Sequence, residues 1–308
     1  MRKPAGALMP RFLRPGDRVA VVAPSGVVEP GRLKAGLSWL RAQGHTVGRA
    51  PHLLSRHGYL AGSDEQRARD MNAILRSDPA RAILFARGGY GLTRILDRLD
   101  LNALRRRPRL LVGYSDATAL FMSLQRRGPY MTLYGPTVSE MGEPEAFDET
   151  SLKSALRGEA AAFTLPVRPA DVLRAGRGEG RVLGGCLSLL VSLLGTPHDP
   201  DYRGAVLFWE DVAEPPYRID RMLTQLRNAG KLDQLAGMMI GSLTECVPTA
   251  GRPSLSIREA VMEVAAGTRF PIVWNVRAGH VARKLTLPLG LPATLDTRRR
   301  AIVFHPQI

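Results

Sequence analysis

Leu110-Leu111-Val112-Gly113-Tyr114-Ser115-Asp116-Ala117-Thr118 sets a serine at the corner between a strand-like apolar run and a helix. A nucleophile elbow turns so sharply that the positions two before and two after its serine must be small. Gly113 and Ala117 meet that demand in a relaxed G-x-S-x-G pattern. The helix starting behind Ser115 also aims unpaired N–H groups and a positive dipole end at any anion forming there. An ordinary helix cap would use the same residue types, because Ser and Asp are preferred at that position anyway. The corner needs partners before it implies chemistry.

Outward from this corner the chain alternates between strand and helix. Residues 18–23 are a β-branched run ending at Pro24-Ser25-Gly26, and Leu33, Leu37 and Leu40 give Pro30–Ala42 a helical face. A helix follows over about 63–76. A strand over 82–86 then leads into the loop Arg87-Gly88-Gly89-Tyr90-Gly91 and a helix through Leu96. Strand Leu110–Gly113 and helix Ala117–Arg126 complete the series. Such alternation predicts an α/β fold with a doubly wound, mostly parallel sheet. The stretch 142–180 changes character: a short helical piece over 151–156 is followed by a Gly- and Arg-rich segment over 174–180. We divide the chain into an N-terminal nucleophile domain (1–145), an interdomain linker (146–180) and a C-terminal mixed α/β domain (181–308). In the last, a helix from Leu187, a strand over 205–209, a helix over 219–228, strands over 237–241 and 272–275, and β-like pieces at 285–288 and 301–305 are expected.

The 308 residues, 44% hydrophobic, can bury a sizeable core. Arg11, Arg14, Asp17 and Arg18 interrupt the first apolar pieces, so no cleavable signal peptide is read and the cytoplasm is the default location. The longest nearly uncharged run, 182–196, is too short to span a bilayer comfortably and reads as a buried helix, so no membrane role is expected. The 2 cysteines, Cys186 and Cys246, have no partner at metal-ligand spacing and are expected as free thiols, with no metal site. The net charge of +15 would suit a nucleic-acid binder, but the basic residues are strewn along the chain and no nucleic-acid partner is expected. The cluster Arg105, Arg106, Arg107 and Arg109 reads as a solvated loop rather than a phosphate-contacting patch. A basic surface could equally draw an anionic small substrate toward a cleft.

A nucleophilic serine needs a base and an acid that orients the base. Of the 6 histidines, His45, His52 and His57 lie in polar loops, His198 in a Pro-flanked turn and His305 near the chain end. His280 follows Ala278-Gly279 just after a strand, with little bulk around its ring. Glu210 ends an apolar strand, so its carboxylate should emerge at a carboxyl edge of the sheet, where α/β proteins gather functional groups. Asp211 competes with it. The Arg87–Gly91 loop exposes backbone N–H groups; its spacing fits no nucleotide-binding motif, whereas an oxyanion hole needs the same exposed amides.

Together these segments resemble the LD-carboxypeptidase family of serine peptidases, which also includes enzymes that hydrolyse microcin C-type peptide nucleotides. The resemblance runs through Val22-Ala23-Pro24-Ser25-Gly26, Phe85 to Gly91, Gly113-Tyr114-Ser115-Asp116, Glu210-Asp211-Val212 with Tyr217 to Arg221, and Gly279-His280 followed by Leu287-Pro288-Leu289-Gly290. It implies Ser115 as nucleophile, His280 as general base and acid, and Glu210 as the residue orienting His280. It places the oxyanion hole on the backbone of Asp116, Gly88 and Gly89. It further implies a cleft between two domains, an acyl-enzyme, no metal or organic cofactor, and a small peptide or muropeptide substrate cut before a terminal D-amino acid; a homodimer is left open. Arg87 is the candidate to hold the substrate's free carboxylate. In one departure, the family's usual Gly-Gly-Asn-Leu reads Gly184-Gly185-Cys186-Leu187 here, which bears on substrate preference rather than the triad. The alternatives are an amidase for aminoacyl nucleotides and a non-catalytic α/β protein binding anions or nucleotides.

Overall fold

A computed structural model describes residues 7–159 and 163–306. In its first half, the alternation read from the sequence is present: β1 (Arg18–Val22), α1 (Pro30–Ala42), β2 (Thr46–Arg49), α2 (Asp64–Ser77), β3 (Ala82–Phe85), α3 (Asn102–Arg106), β4 (Leu110–Gly113), α4 (Ala117–Arg126) and β5 (Thr132–Tyr134). These strands lie in the order β2-β1-β3-β4-β5 and pair in parallel. Every residue of β3 and β4 is buried, as expected for parallel strands covered on both faces. The crossover after β1 runs to β2, whereas the one after its neighbour β3 runs the opposite way, to β4. The crevice between the carboxyl ends of β1 and β3 is therefore the topological switch point where such folds bind ligands.

The second half comprises α5 (Glu149–Arg157), β6 (Thr164–Pro166), β7 (Val172–Arg174), β8 (Arg177–Cys186), α6 (Leu187–Ser192), β9 (Val206–Val212), α7 (Pro216–Asn228), β10 (Gly237–Thr244), α8 (Ile257–Val264), β11 (Ile272–Val273), β12 (Leu287–Leu289), β13 (Pro292–Asp296) and β14 (Ala301–Phe304). A mixed sheet runs β6-β14-β13-β8-β9-β10-β11-β7, parallel at its centre from β8 to β11 and antiparallel at both ends. α4, buried from Ala117 to Gln125, packs between the two sheets, and its Thr118 hydroxyl accepts the Cys186 N–H at 3.0 Å.

Several expectations are corrected. The helix expected through Leu96 is a pair of 3-10 turns, Leu92–Arg94 and Leu96–Arg98. The apolar run 182–196 is not one helix: its first part finishes the long strand β8, and helix α6 is brief. The two periodicities cannot be told apart in so short an apolar stretch. The Gly- and Arg-rich piece 174–180, expected as connection, ends β7 and opens β8, where Gly178 and Gly180 pass against the backbone carbonyls of Ala236 and Gly204. Residues 160–162 of that expected linker, like residues 1–6, lie outside the described residues. Arg109 is not solvated; it is 1% exposed, and its guanidinium donates to the Ile74 carbonyl. Among the described residues, no helix is long and apolar enough to cross a membrane.

The chain's second half also returns to the first sheet, because β12 pairs antiparallel with β5. The loop before it is laced to the 140–151 segment: Arg283 N–H donates to the Glu145 carbonyl at 2.8 Å, Asp148 N–H to the Lys284 carbonyl at 2.9 Å, and Thr286 N–H to the Ser151 hydroxyl at 2.9 Å. Lys284, 3% exposed, donates to Glu140 Oε1 at 2.5 Å, and its ammonium lies 4.7 Å from the centre of the Tyr114 ring. Burial pushes the Glu140 carboxyl up. The Lys284 charge and hydrogen bond, the Thr137 N–H and the Tyr114 hydroxyl outweigh it, so Glu140 sits below the usual carboxylate range. A lowered folded value means that this contribution to stability is fully present above the ordinary glutamate pKa and is lost as pH falls through the lowered one. Lys284→Met strands the Glu140 charge in the interior, and we expect it to cost about 3–5 kcal/mol near neutral pH. Urea denaturation reads this directly; an unchanged midpoint would show that the pair carries no such weight.

Candidate active site

Ser115 stands where β4 turns toward α4, with φ at 60°, in the left-handed region that non-glycine residues seldom enter. An N-cap serine would sit in extended backbone and bond its side chain to a first-turn N–H. Here neither holds: Asp116 occupies the cap position in helical geometry, without a side-chain cap bond. The corner is locked by its own backbone, with Thr118 N–H donating to the Ser115 carbonyl at 2.9 Å, and Ser115 N–H donates to the Tyr134 hydroxyl at 3.2 Å.

The glycine loop after β3 lies against this elbow. A Cβ at Gly88 would come within 2.9 Å of Ser115 Cβ, so this approach requires glycine. Gly26 N–H donates to the Gly88 carbonyl at 3.0 Å, which joins the loops after β1 and β3 across the switch point. Below them Asp116 Oδ2 accepts the Leu92 N–H at 2.8 Å, and the fully buried Arg67 donates to the Pro24 and Gly91 carbonyls. Burial holds the Asp116 carboxyl above its usual range, against hydrogen bonds from Ser25 and Leu92. The N–H groups of Gly88, Gly89 and Asp116 make no backbone hydrogen bond among the described residues.

Glu210 lies within β9 rather than at its exposed end, and it is fully buried. Its Oε2 accepts both the His280 backbone N–H, at 3.0 Å, and His280 Nδ1, at 2.8 Å. Gly279, at φ 99°, permits this, since a Cβ there would sit on the Glu210 carboxylate. With a carboxylate on Nδ1, the ring proton belongs there, and Nε2 is left as the basic nitrogen. Burial opposes protonation of His280, but the hydrogen bond and charge of Glu210, aided by Asp211, prevail over burial and Lys284 and raise its pKa above the ordinary value. Asp211 is not a rival for the ring. Strand alternation turns it to the opposite face, where it accepts from Ser188 N–H at 2.8 Å, Val212 N–H at 2.9 Å and the Cys186 thiol at 3.5 Å.

Ser115 and His280 line one cavity of about 590 Å³ together with Arg87, Gly88, Gly89 and Glu140. No hydrogen bond joins the serine hydroxyl to the imidazole among the described residues; such bonds commonly tighten when substrate docks. Arg87 donates to the Val27 carbonyl at 2.6 Å and makes no ion pair among the described residues.

Comparison with known proteins matches residues 19–135 to the LD-carboxypeptidase N-terminal domain and residues 179–295 to the LD-carboxypeptidase C-terminal domain. A probable murein peptide carboxypeptidase of Bacillus subtilis is 34% identical over 299 residues, spanning 96% of this chain and 94% of that one. This chain belongs to the LD-carboxypeptidase family. It is a serine-type carboxypeptidase, a hydrolase. The microcin C7 self-immunity protein MccF of Escherichia coli is 27% identical, covering 92% of this chain and 91% of its own. Among solved structures, a muramoyltetrapeptide carboxypeptidase from Oxalobacter formigenes superposes with a TM-score of 0.81 at 28% identity, over 93% of this chain and 97% of that one.

Where the resemblance implies Asn, this LD-carboxypeptidase carries a buried thiol, Cys186, whose pKa burial and then the Glu210 and Asp211 charges push well above the ordinary value. Cys246 is likewise a buried free thiol. His198 bonds Ser123 Oγ through Nδ1 at 2.8 Å and Asp97 through Nε2 at 2.9 Å. That Ser-His-Asp set is structural, because Ser123 is fully buried in α4 and lines none of the cavities described. Sequence reading missed Tyr134, Glu140 and Lys284, which surround the Glu210–His280 pair. Lys284, four residues after His280, was the available signal.

Proposed function

We propose that this carboxypeptidase removes a terminal D-amino acid from a muropeptide stem, cutting between an L-centre and the D-residue, and serves peptidoglycan recycling in the cytoplasm. The observation that carries this reading is the left-handed elbow serine sharing a cavity with a histidine whose Nδ1 and backbone N–H both rest on one buried carboxylate. Ser115 Oγ attacks the scissile carbonyl as His280 Nε2 takes its proton, and Glu210 stabilises the imidazolium that forms. The N–H groups of Asp116 and the Gly88-Gly89 loop face the developing oxyanion. The tetrahedral intermediate collapses to an acyl-enzyme, and the departing D-amino acid's amine receives the proton from His280. A water, deprotonated by His280, then cleaves the Ser115 ester and restores the free serine. The elbow comes from the first sheet and the Glu-His pair from the second, so the cleft between them is the active site.

The aminoacyl-nucleotide reading needs an aromatic platform for a base. Tyr114, the aromatic side chain among the described lining residues, has the Lys284 ammonium over its ring.

Incubation with a tetrapeptide ending in D-Ala, followed by mass spectrometry, should show loss of the terminal residue. Ser115→Ala should lower kcat by on the order of a million-fold while leaving the melting temperature near that of the parent. Turnover by that variant clearly above a buffer control would end the assignment.

A base must be neutral to act, and His280 titrates above its ordinary value of about 6.5. kcat/KM should therefore rise with pH through a pKa on the neutral side of that value, and the limb should vanish in His280→Ala. A wild-type rate flat from about pH 5 to 9 speaks against an imidazole base.

Arg87 is the candidate clamp for the substrate's C-terminal carboxylate, since it lines the cavity beside Ser115 with no acidic partner among the described residues. Arg87→Ala should raise KM on the order of tenfold or more for the free acid, the loss of one charge-assisted bond, and change little for the same peptide carrying a C-terminal amide. Equal losses on both substrates would assign Arg87 to support of the glycine loop instead.

A further inference from the structure

Tyr134 ends β5, beside β4, in register with Gly113 of the elbow strand. It is fully buried, and its hydroxyl sits between two parts of the catalytic machinery. The direction of both bonds follows from valence. A backbone N–H can only donate and a carboxylate only accept, so the phenol accepts from Ser115 N–H at 3.2 Å and donates to Glu210 Oε1 at 2.7 Å. Both His280 donors fall on the other oxygen, Oε2. The ring cannot swing away, because it makes edge contacts with Phe208, centroids 5.4 Å apart, and with Tyr114, 6.1 Å apart. Phe208 stands two residues before Glu210 on the same face of β9, so the strand that carries the acid also grips the phenol.

We infer that Tyr134 is a positioning residue, whose single hydroxyl fixes the Glu210 carboxylate relative to the Ser115 elbow and thereby aims His280. This rests on the triad reading given above. The sequence of effects is physical: an ionised carboxylate with no exposure needs donors on both oxygens, and Tyr134 is the donor to Oε1. Without that donor one carboxylate oxygen is left buried and unpaired. The carboxylate then turns to find another partner, and its hold on both His280 donors weakens. Burial, and then the Glu210 charge, push the Tyr134 phenol well above its ordinary pKa, so it keeps the proton it donates throughout the working range. A merely structural core tyrosine would need neither bond, since its packing is that of a phenylalanine.

The test uses Tyr134→Phe in the full chain, which keeps the ring and its contacts, assayed on the D-Ala tetrapeptide. Loss of a partner that orients a functional group should lower kcat about 10- to 100-fold, with KM changed less than about threefold. In the Glu210→Gln background, followed by single turnovers with enzyme in excess, the same substitution should cost less than about threefold, because no anion remains for the phenol to hold. Thermal melting of the same samples separates positioning from folding. An unchanged kcat, an equal loss in both backgrounds, or loss of the folding transition in Tyr134→Phe would each make Tyr134 a core residue and overturn the assignment. Failure of the triad reading shows separately, as turnover by Ser115→Ala clearly above a buffer control.

Discussion

The Glu210 carboxylate is the charge around which the two sheets meet. It is buried on β9 of the mixed sheet, yet one of its three donors among the described residues, the Tyr134 hydroxyl, belongs to the parallel sheet. Removing a carboxylate from water costs several kcal/mol even after relaxation, and the cost is offset only when its lone pairs are filled with good geometry. Sheet contact, the 278–280 turn and the charge therefore have to form together. Gly279 and Gly241 reflect this, since a side chain at either would collide with Glu210.

The same dependence explains why the second half of the chain sends a strand back to the first sheet. His280 sits on a connection between β11 and β12 that would be mobile if it were only a loop. Pairing of β12 with β5, the backbone bonds to Glu145 and Asp148, and the buried Lys284–Glu140 pair instead hold it at both ends. Arg277–Asp148 and Arg283–Glu145 lie outside this lacing in solvent, where ion pairs contribute little. His280 is thus carried on irregular backbone with the rigidity of a sheet edge.

How much of this was legible depended on whether the determinant is local. Gly113, Ser115 and Ala117 state the elbow within five residues, and helices α1 and α4 end where their apolar spacing ends. Glu210 and His280 could be picked as types at strand ends, but their pairing spans 70 residues and no spacing rule encodes it. The choice of Glu210 over Asp211 comes from strand parity and needs the true extent of β9, which runs to Val212, beyond the apolar run that advertises it. Tyr134 was illegible for the same reason: β5 is three residues long, and the partners of its hydroxyl lie on other strands. Arg109 shows the converse error, since a run of arginines reads as solvated unless the fold supplies a carbonyl such as that of Ile74.

The strain at Ser115 is best understood through what encloses it. A residue at φ 60° without a glycine's freedom is held there only if neighbours over-determine the backbone. On one side the N–H is taken by Tyr134, on another the carbonyl is taken by Thr118, and Thr118 is itself bonded to Cys186 of the second sheet. Across the crevice the Gly88 backbone blocks relaxation toward the glycine loop. Each of these contacts comes from a different element, so no single helix or strand fixes the elbow serine. Its conformation is a property of the assembled interface, and formation of the elbow is thereby coupled to closure of the two sheets on each other.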